Sequence, residues 1–167
     1  MNRRHFLSRT LAAVAGATAL RAPDLAWAQA AKVEQVDKIV KVSKMPDEWR
    51  KVLTPTQFSV LREEGTERPF TSPLNNEKRK GTFVCAGCDL PLFESTTKYD
   101  SGTGWPSFYA AIPGRVESMV DHKLILPRDE YHCARCGGHQ GHVFNDGPKP
   151  TGLRFCNNGV ALKFIPA

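Results

Sequence analysis

Two C-x-x-C pairs, CAGC at Cys85 to Cys88 and CARC at Cys133 to Cys136, stand 44 residues apart in a chain of 167. This spacing constrains the fold more than any other feature, because it asks two distant turns to meet. A two-residue turn lets both sulfurs of a pair face one ion, and four thiolates complete a tetrahedral zinc shell with no position left for a substrate. One structural zinc on Cys85, Cys88, Cys133 and Cys136 is therefore the expected cofactor. Other arrangements stay open here. The four thiols would also make two disulfides, and a redox C-x-x-C is another use of the motif, although that motif opens a helix in a βαβ setting and no helical run follows either pair. The local series Cys133, Cys136, His139 and His142 offers a further ligand set, which would orphan Cys85 and Cys88.

The N-terminal segment carries a different signal. Two adjacent arginines in MNRRHFLSRT precede an apolar run from Leu11 to Leu20, and AWA at Ala26 to Ala28 supplies small residues at cleavage spacing. Residues 1–28 read as a twin-arginine export signal that is removed, because the apolar run is far shorter than the roughly 20 residues of a spanning helix. Cleavage after Ala28 removes four arginines and one aspartate, which lowers the formal charge from +6 to +3 and leaves 139 residues, enough for one domain with a real core. The expected location is the periplasm, with no stable membrane insertion after cleavage and a monomeric state. This export route is associated with proteins that fold first, so the cysteines would meet a reducing cytoplasm before an oxidising compartment. A mild positive charge without a basic run argues against nucleic acid as a partner.

Residues 29–45 are expected to be a tether or a loosely attached strand, ahead of a domain over 46–167. LTPTQFSVLREEG predicts a short helix with Thr54 as its cap, Pro55 in first position, Gln57 completing a capping box and Gly65 as the stop. Helical periodicity then ends. GTFVCAG, RVESMV, HKLILP, EYHCARC, GHVF and GVALKFI are short β-rich runs bounded by Gly, Pro, Asn or Asp. They predict a mainly β, antiparallel domain whose long Gly/Pro-rich loops, YDSGTGWPSF and NDGPKPTG, carry the chemistry.

The fifth cysteine, Cys156, has no partner in this scheme. A free cysteine is usually a small buried hydrophobe. Arg154 and Asn158 flank it at i−2 and i+2, however, and in a strand such residues share a face. A cation beside a thiol favours the nucleophilic thiolate. His139, His142 and Asp146 add groups that deliver a proton, and Trp105, in a Gly-rich loop, adds an aromatic wall. Any one of these would more often be an ordinary structural residue. Together they suggest a nucleophilic cysteine acting on something small and apolar.

WRKVLTPTQFSVLREEGTERPF, CAGCDLPLF, KYDSGTGWPSF, CARCGGHQGHVFNDGP and PTGLRFCNNGVAL, in that order across most of Trp49 to Phe164, resemble the motif series of the B-class methionine sulfoxide reductases. The resemblance implies two antiparallel sheets around the site, a structural zinc on the paired cysteines and reduction of the R epimer of methionine sulfoxide. It implies Cys156 as nucleophile, Arg154 as the residue that helps hold it and Trp105 as the wall receiving the substrate methyl. His139, His142, Asp146 and Asn158 match the polar set around the sulfoxide oxygen. Partners implied are oxidised methionine-containing proteins and an external thiol or thioredoxin-like reductant. Gly159 stands where the family usually has Ser, and Thr103 where many members have a second, resolving cysteine. A zinc-ribbon-like binding module or an envelope protein with two disulfides are the rival readings, and neither uses Cys156.

Overall fold

The computed structural model describes residues 38–121 and 128–167, and among them nine strands form two antiparallel sheets. The smaller sheet has the order β2-β1-β9, from β1 (Gly81–Cys85), β2 (Pro91–Glu94) and β9 (Leu162–Pro166). The larger has the order β3-β4-β8-β7-β6-β5, from β3 (Lys98–Tyr99), β4 (Ser107–Phe108), β5 (Val116–Asp121), β6 (Arg128–Cys133), β7 (His139–Phe144) and β8 (Arg154–Asn157). This is the mainly β, two-sheet architecture expected. The export signal over 1–28, the tether as far as residue 37 and the HKLILP run lie outside the described residues. Among the described residues no helix is long and apolar enough to cross a membrane.

Two short helices precede the sheets, α1 (Pro46–Val52) and α2 (Pro55–Glu63). The capping box of α2 forms as the sequence predicts: Gln57 N–H donates to Thr54 Oγ1 at 3.2 Å and Thr54 N–H to Gln57 Oε1 at 3.1 Å. The helix stops one residue earlier than expected. Glu64 takes the left-handed conformation at φ 55°, and Gly65 N–H then closes onto Ser59 O at 3.0 Å, so the carbonyl at the helix end is satisfied without a left-handed glycine. Helix α1 has no counterpart in the sequence reading, since seven residues are too few to show a period; its first turn is fixed by Met45 N–H donating to Glu48 Oε2 at 2.7 Å. Residues just before it are docked, with Ile39 and Val42 packed on the core and Val42 N–H bonded to Arg135 O at 2.7 Å.

Aromatic rings fill the core. Phe83 of β1 and Phe93 of β2 meet Phe108, Tyr131 and Phe155 of the larger sheet. Phe93 stacks on Phe108 with centroids 4.2 Å apart, and Tyr131 meets Phe155 edge-on at 5.3 Å. These contacts fix the register of β8. Side chains alternate across a strand, so burying Phe155 turns Arg154 and Cys156 to the opposite face.

Candidate active site

Cys156 lies in the middle of the larger sheet. In register it faces His142 of β7 on one side and Ser107 of β4 on the other. Its half-buried thiol opens on a cavity of about 180 Å³ lined by Thr66, Trp105, Arg128, Gly141, His142, Phe144, Cys156, Asn157 and Asn158. The cavity wall depends on Gly141. A Cβ there would stand 1.9 Å from the carbonyl oxygen of Cys156, so only glycine lets β7 come this close to the backbone of the candidate nucleophile.

Arg154 is a fixed cation beside that thiol. Its Nε and Nη2 donate to the two carboxylate oxygens of Asp146, each at 2.8 Å, and its guanidinium stacks 4.3 Å from the Phe144 ring centroid. Arg154 is buried, with 10% side-chain exposure against 62% for Asp146. The hydrogen bonds from Arg154 hold the Asp146 carboxyl below its usual range. Asp146 thus stands outside the cavity and orients the arginine. For Cys156 the largest influence is burial, which pushes the thiol up; Arg154 and a hydrogen bond with Thr103 pull the other way. The cation acts in the direction the sequence suggests, and desolvation outweighs it.

The two histidines occupy different places. His142 lines the cavity directly opposite Cys156. His139 lies deeper, 5.6 Å from His142 between ring centroids and almost fully buried. Burial brings His139 down to about 4, with Glu130 opposing it, so the ring is neutral at pH 7. Its Nδ1 lies against Glu130 Oε1, and His132 Nε2 stands 3.0 Å from the same oxygen. On the other side of the ring Nε2 faces Asn158 Nδ2 at 3.5 Å. The ligand-type atoms of Glu130, His132 and His139 lie within 4.8 Å of one another, close enough to hold a cation. Asn158 falls just past the end of β8, where its Nδ2 donates to Gln140 O at 3.0 Å and its Oδ1 accepts from Glu67 N–H at 3.0 Å.

The other four cysteines meet between β1 and β6, as their spacing requires. Cys85 and Cys136 Sγ atoms are 3.7 Å apart, and Cys88 and Cys133 3.5 Å. A disulfide needs about 2.05 Å, whereas four sulfurs at about 2.3 Å from a central ion stand roughly 3.8 Å apart. The quartet therefore fits a tetrahedral ion, and its four cysteines are free thiols, not two disulfides, in this structure. Without a cation the sulfurs compete for protons: Cys85 and Cys133 are pushed up and Cys88 and Cys136 down, each chiefly by hydrogen bonding to a neighbouring thiol.

Residues 53–166 match the model of the SelR domain. The chain belongs to the SelR-domain family. "Peptide methionine sulfoxide reductase MsrB" of Agrobacterium fabrum is 54% identical over 127 residues, which cover 75% of this chain and 94% of that protein. The protein of the same name from Pseudomonas putida is 55% identical over 129 residues, 75% and 96% of the two chains. That from Methanosarcina barkeri is 54% identical over 124 residues, 74% and 87%.

In this SelR domain the fold brings Trp105, His142, Cys156 and Asn158 to one cavity and sets His139, Arg154 and Asp146 behind it. Sequence reasoning missed Glu67, Ser72, Arg128 and Phe144. Glu67 sits in the polar run REEGTERP, which reads as surface, and nothing in its spacing marks it as buried.

Proposed function

We propose that this SelR domain reduces the R epimer of methionine sulfoxide, peptide-bound or free, to methionine. The observation that carries the reading is a lone thiol at the mouth of a small, partly aromatic cavity, with an imidazole directly across the sheet from it. The substrate methyl sits against Trp105. Cys156 attacks the sulfoxide sulfur, and His142 passes the thiol proton to the sulfoxide oxygen, because bare oxide is a poor leaving group. The sulfoxide sulfur gains two electrons and methionine leaves. Cys156 loses two electrons and keeps the oxygen as a sulfenic acid. Arg154, held by Asp146, stabilises the charge that builds on the sulfur as its proton departs. Asn158 and the neutral His139 behind it orient the oxygen.

An external thiol closes the cycle. It condenses with the sulfenic acid to release water and form a mixed disulfide, and a second thiol restores Cys156. Thr103 lies near the Cys156 thiol, at the position where a resolving cysteine would stand. Thr103→Cys should accordingly turn the product of one turnover into an internal disulfide. The quartet would hold one zinc ion on Cys85, Cys88, Cys133 and Cys136, which supplies binding energy to the fold and takes no part in catalysis. The proposed compartment is the periplasm, on the reading of residues 1–28 as a twin-arginine signal, with oxidised exported proteins as substrates, a thioredoxin-like reductant and a monomeric enzyme.

The test is an assay of the protein on separated R and S sulfoxides of N-acetylmethionine amide with dithiothreitol as reductant. Turnover of R alone is expected. Turnover of S alone, or of neither, overturns the reading.

A further inference from the structure

Behind the cavity, four residues that the reaction above does not use come together: Glu67, Ser72, Gly159 and Val160. Glu67 is only 8% exposed, although its sequence neighbours are polar. All three of its polar functions are directed at the site. Its N–H donates to Asn158 Oδ1 at 3.0 Å, and its carbonyl accepts from Trp105 Nε1 at 3.1 Å. Its carboxylate accepts from Gly159 N–H through Oε1 and from Val160 N–H through Oε2, the latter at 3.1 Å. Burying a carboxylate is costly unless its oxygens are satisfied, and here both are satisfied by the backbone that follows Asn158.

Ser72 bounds the same turn from the other side. A Cβ on Gly159 would stand 1.9 Å from Ser72 Oγ, 2.5 Å from Ser72 Cβ and 3.1 Å from Glu67 Oε1. The turn is therefore drawn in by the carboxylate and stopped by the serine. This explains why glycine occupies a position where serine is expected: the space a serine side chain at 159 would need is already filled by Ser72, which is buried.

We infer that Glu67 is a positioning residue for this reaction, tying the Trp105 wall and the Asn158 amide into one rigid unit at Cys156, with Ser72 and Gly159 setting how closely the turn approaches. The inference rests on the sulfoxide-reductase reading of the site. Glu67's backbone fixes Trp105 and Asn158 directly, and its carboxylate fixes the turn that carries Asn158. Loss of the carboxylate frees that turn and shifts the amide relative to the wall. Displacements of about 1 Å at such groups cost on the order of 100-fold in rate.

Glu67→Gln is nearly isosteric but turns an NH₂ group towards one of the two backbone donors. Glu67→Ala removes both acceptors. Each is to be measured for kcat and KM on the R-sulfoxide of N-acetylmethionine amide, for the rate of Cys156 alkylation by iodoacetamide read by peptide mass, and for thermal melting. Because alkylation requires neither the wall nor the amide, kcat/KM should fall about 10-fold in E67Q and about 100-fold in E67A while alkylation stays within about 2-fold of wild type. Unchanged kcat/KM in folded E67Q would overturn the inference and leave Glu67 a purely structural residue. So would a fall in alkylation that matched the fall in kcat/KM. If E67A does not fold, E67Q decides. A wild type that turns over no sulfoxide sinks the underlying reading instead, independently of both variants.

A second pair tests the stop. Gly159→Ser should lose about 100-fold in kcat/KM, and the added Ser72→Gly should return it to within about 3-fold of wild type, since the atoms it meets are gone. Ser72→Ala leaves the Cβ in place and should rescue less. A double variant no better than Gly159→Ser alone would show that Ser72 does not set the position of the turn.

Discussion

The five cysteines divide between two regions that treat sulfur in opposite ways. In the quartet, four Sγ atoms face one another, Cys85, Cys133 and Cys136 are buried, and the surrounding donors, Gln140 Nε2 at 3.5 Å from Cys85 and Arg62 Nη2 at 3.9 Å from Cys136, point at the sulfurs. At Cys156 one sulfur faces an open cavity, and its neighbours are a cation, a hydroxyl and an imidazole drawn from other strands and loops. A thiol surrounded by thiols is placed to share an ion with them. A thiol beside proton donors and an open cavity is placed to meet a substrate. Cysteine itself is the same in both places; the number of sulfurs within reach decides its role.

The most drastic way to break this contrast is at the quartet. Cys85→Ser or Cys133→Ser should lose bound zinc and several kcal/mol of stability, enough to unfold the domain, because binding energy at a structural site is folding energy. Metal analysis and circular-dichroism melting check this; a folded, metal-free variant with wild-type melting would contradict it. Next in size is Cys156→Ser, which should cost roughly 10⁴-fold or more in turnover. Zinc content and melting temperature should stay at wild-type values, which separates the two regions cleanly.

Trp105→Ala should lower kcat/KM by about 100-fold through the wall and its bond to Glu67, with a smaller effect on melting. A large drop in stability with intact kinetics would instead make Trp105 part of the core. The smallest effect is on pH. His139 titrates at about 4 in the fold against 6.5 in the unfolded chain, so between these values the unfolded state binds more protons. Stability from this group is complete above pH 6.5 and is lost as pH falls through 6.5 towards 4, on the order of 2–3 kcal/mol by pH 4.5. Urea unfolding of wild type and His139→Asn at pH 7 and 4.5 reads the difference; equal slopes for the two proteins would remove His139 from the account.

The contrast also marks what the sequence can carry. The quartet is legible because metal ligation imposes a spacing, and the α2 cap because its two hydrogen bonds are local. The β runs are legible where alternation lasts four residues or more. Strands β3 and β4 are two residues each, too short for any pattern, so the loop YDSGTGWPSF conceals β4, the strand that flanks Cys156. Asp146 could be recognised as a polar group of the site, but its pairing with Arg154 eight residues on is a matter of geometry. Glu67 was hidden most completely. Its partners Trp105, Asn158, Gly159 and Val160 come from distant parts of the chain, and a buried carboxylate and an exposed one look alike in sequence.

The alternation of Phe155 and Cys156 has a further consequence for how such a chain can vary. With Phe155 locked among the rings of Phe93 and Tyr131, the thiol reaches the cavity only because it is one residue further on. A substitution on either side of this strand changes one contact. A single-residue insertion or deletion within 154–157 exchanges the two faces, presenting a benzyl ring to the substrate and driving the thiol into the core. Length in this segment is thus a stricter constraint than composition, and insertions and deletions between SelR-domain sequences should collect in the connecting loops and spare β8.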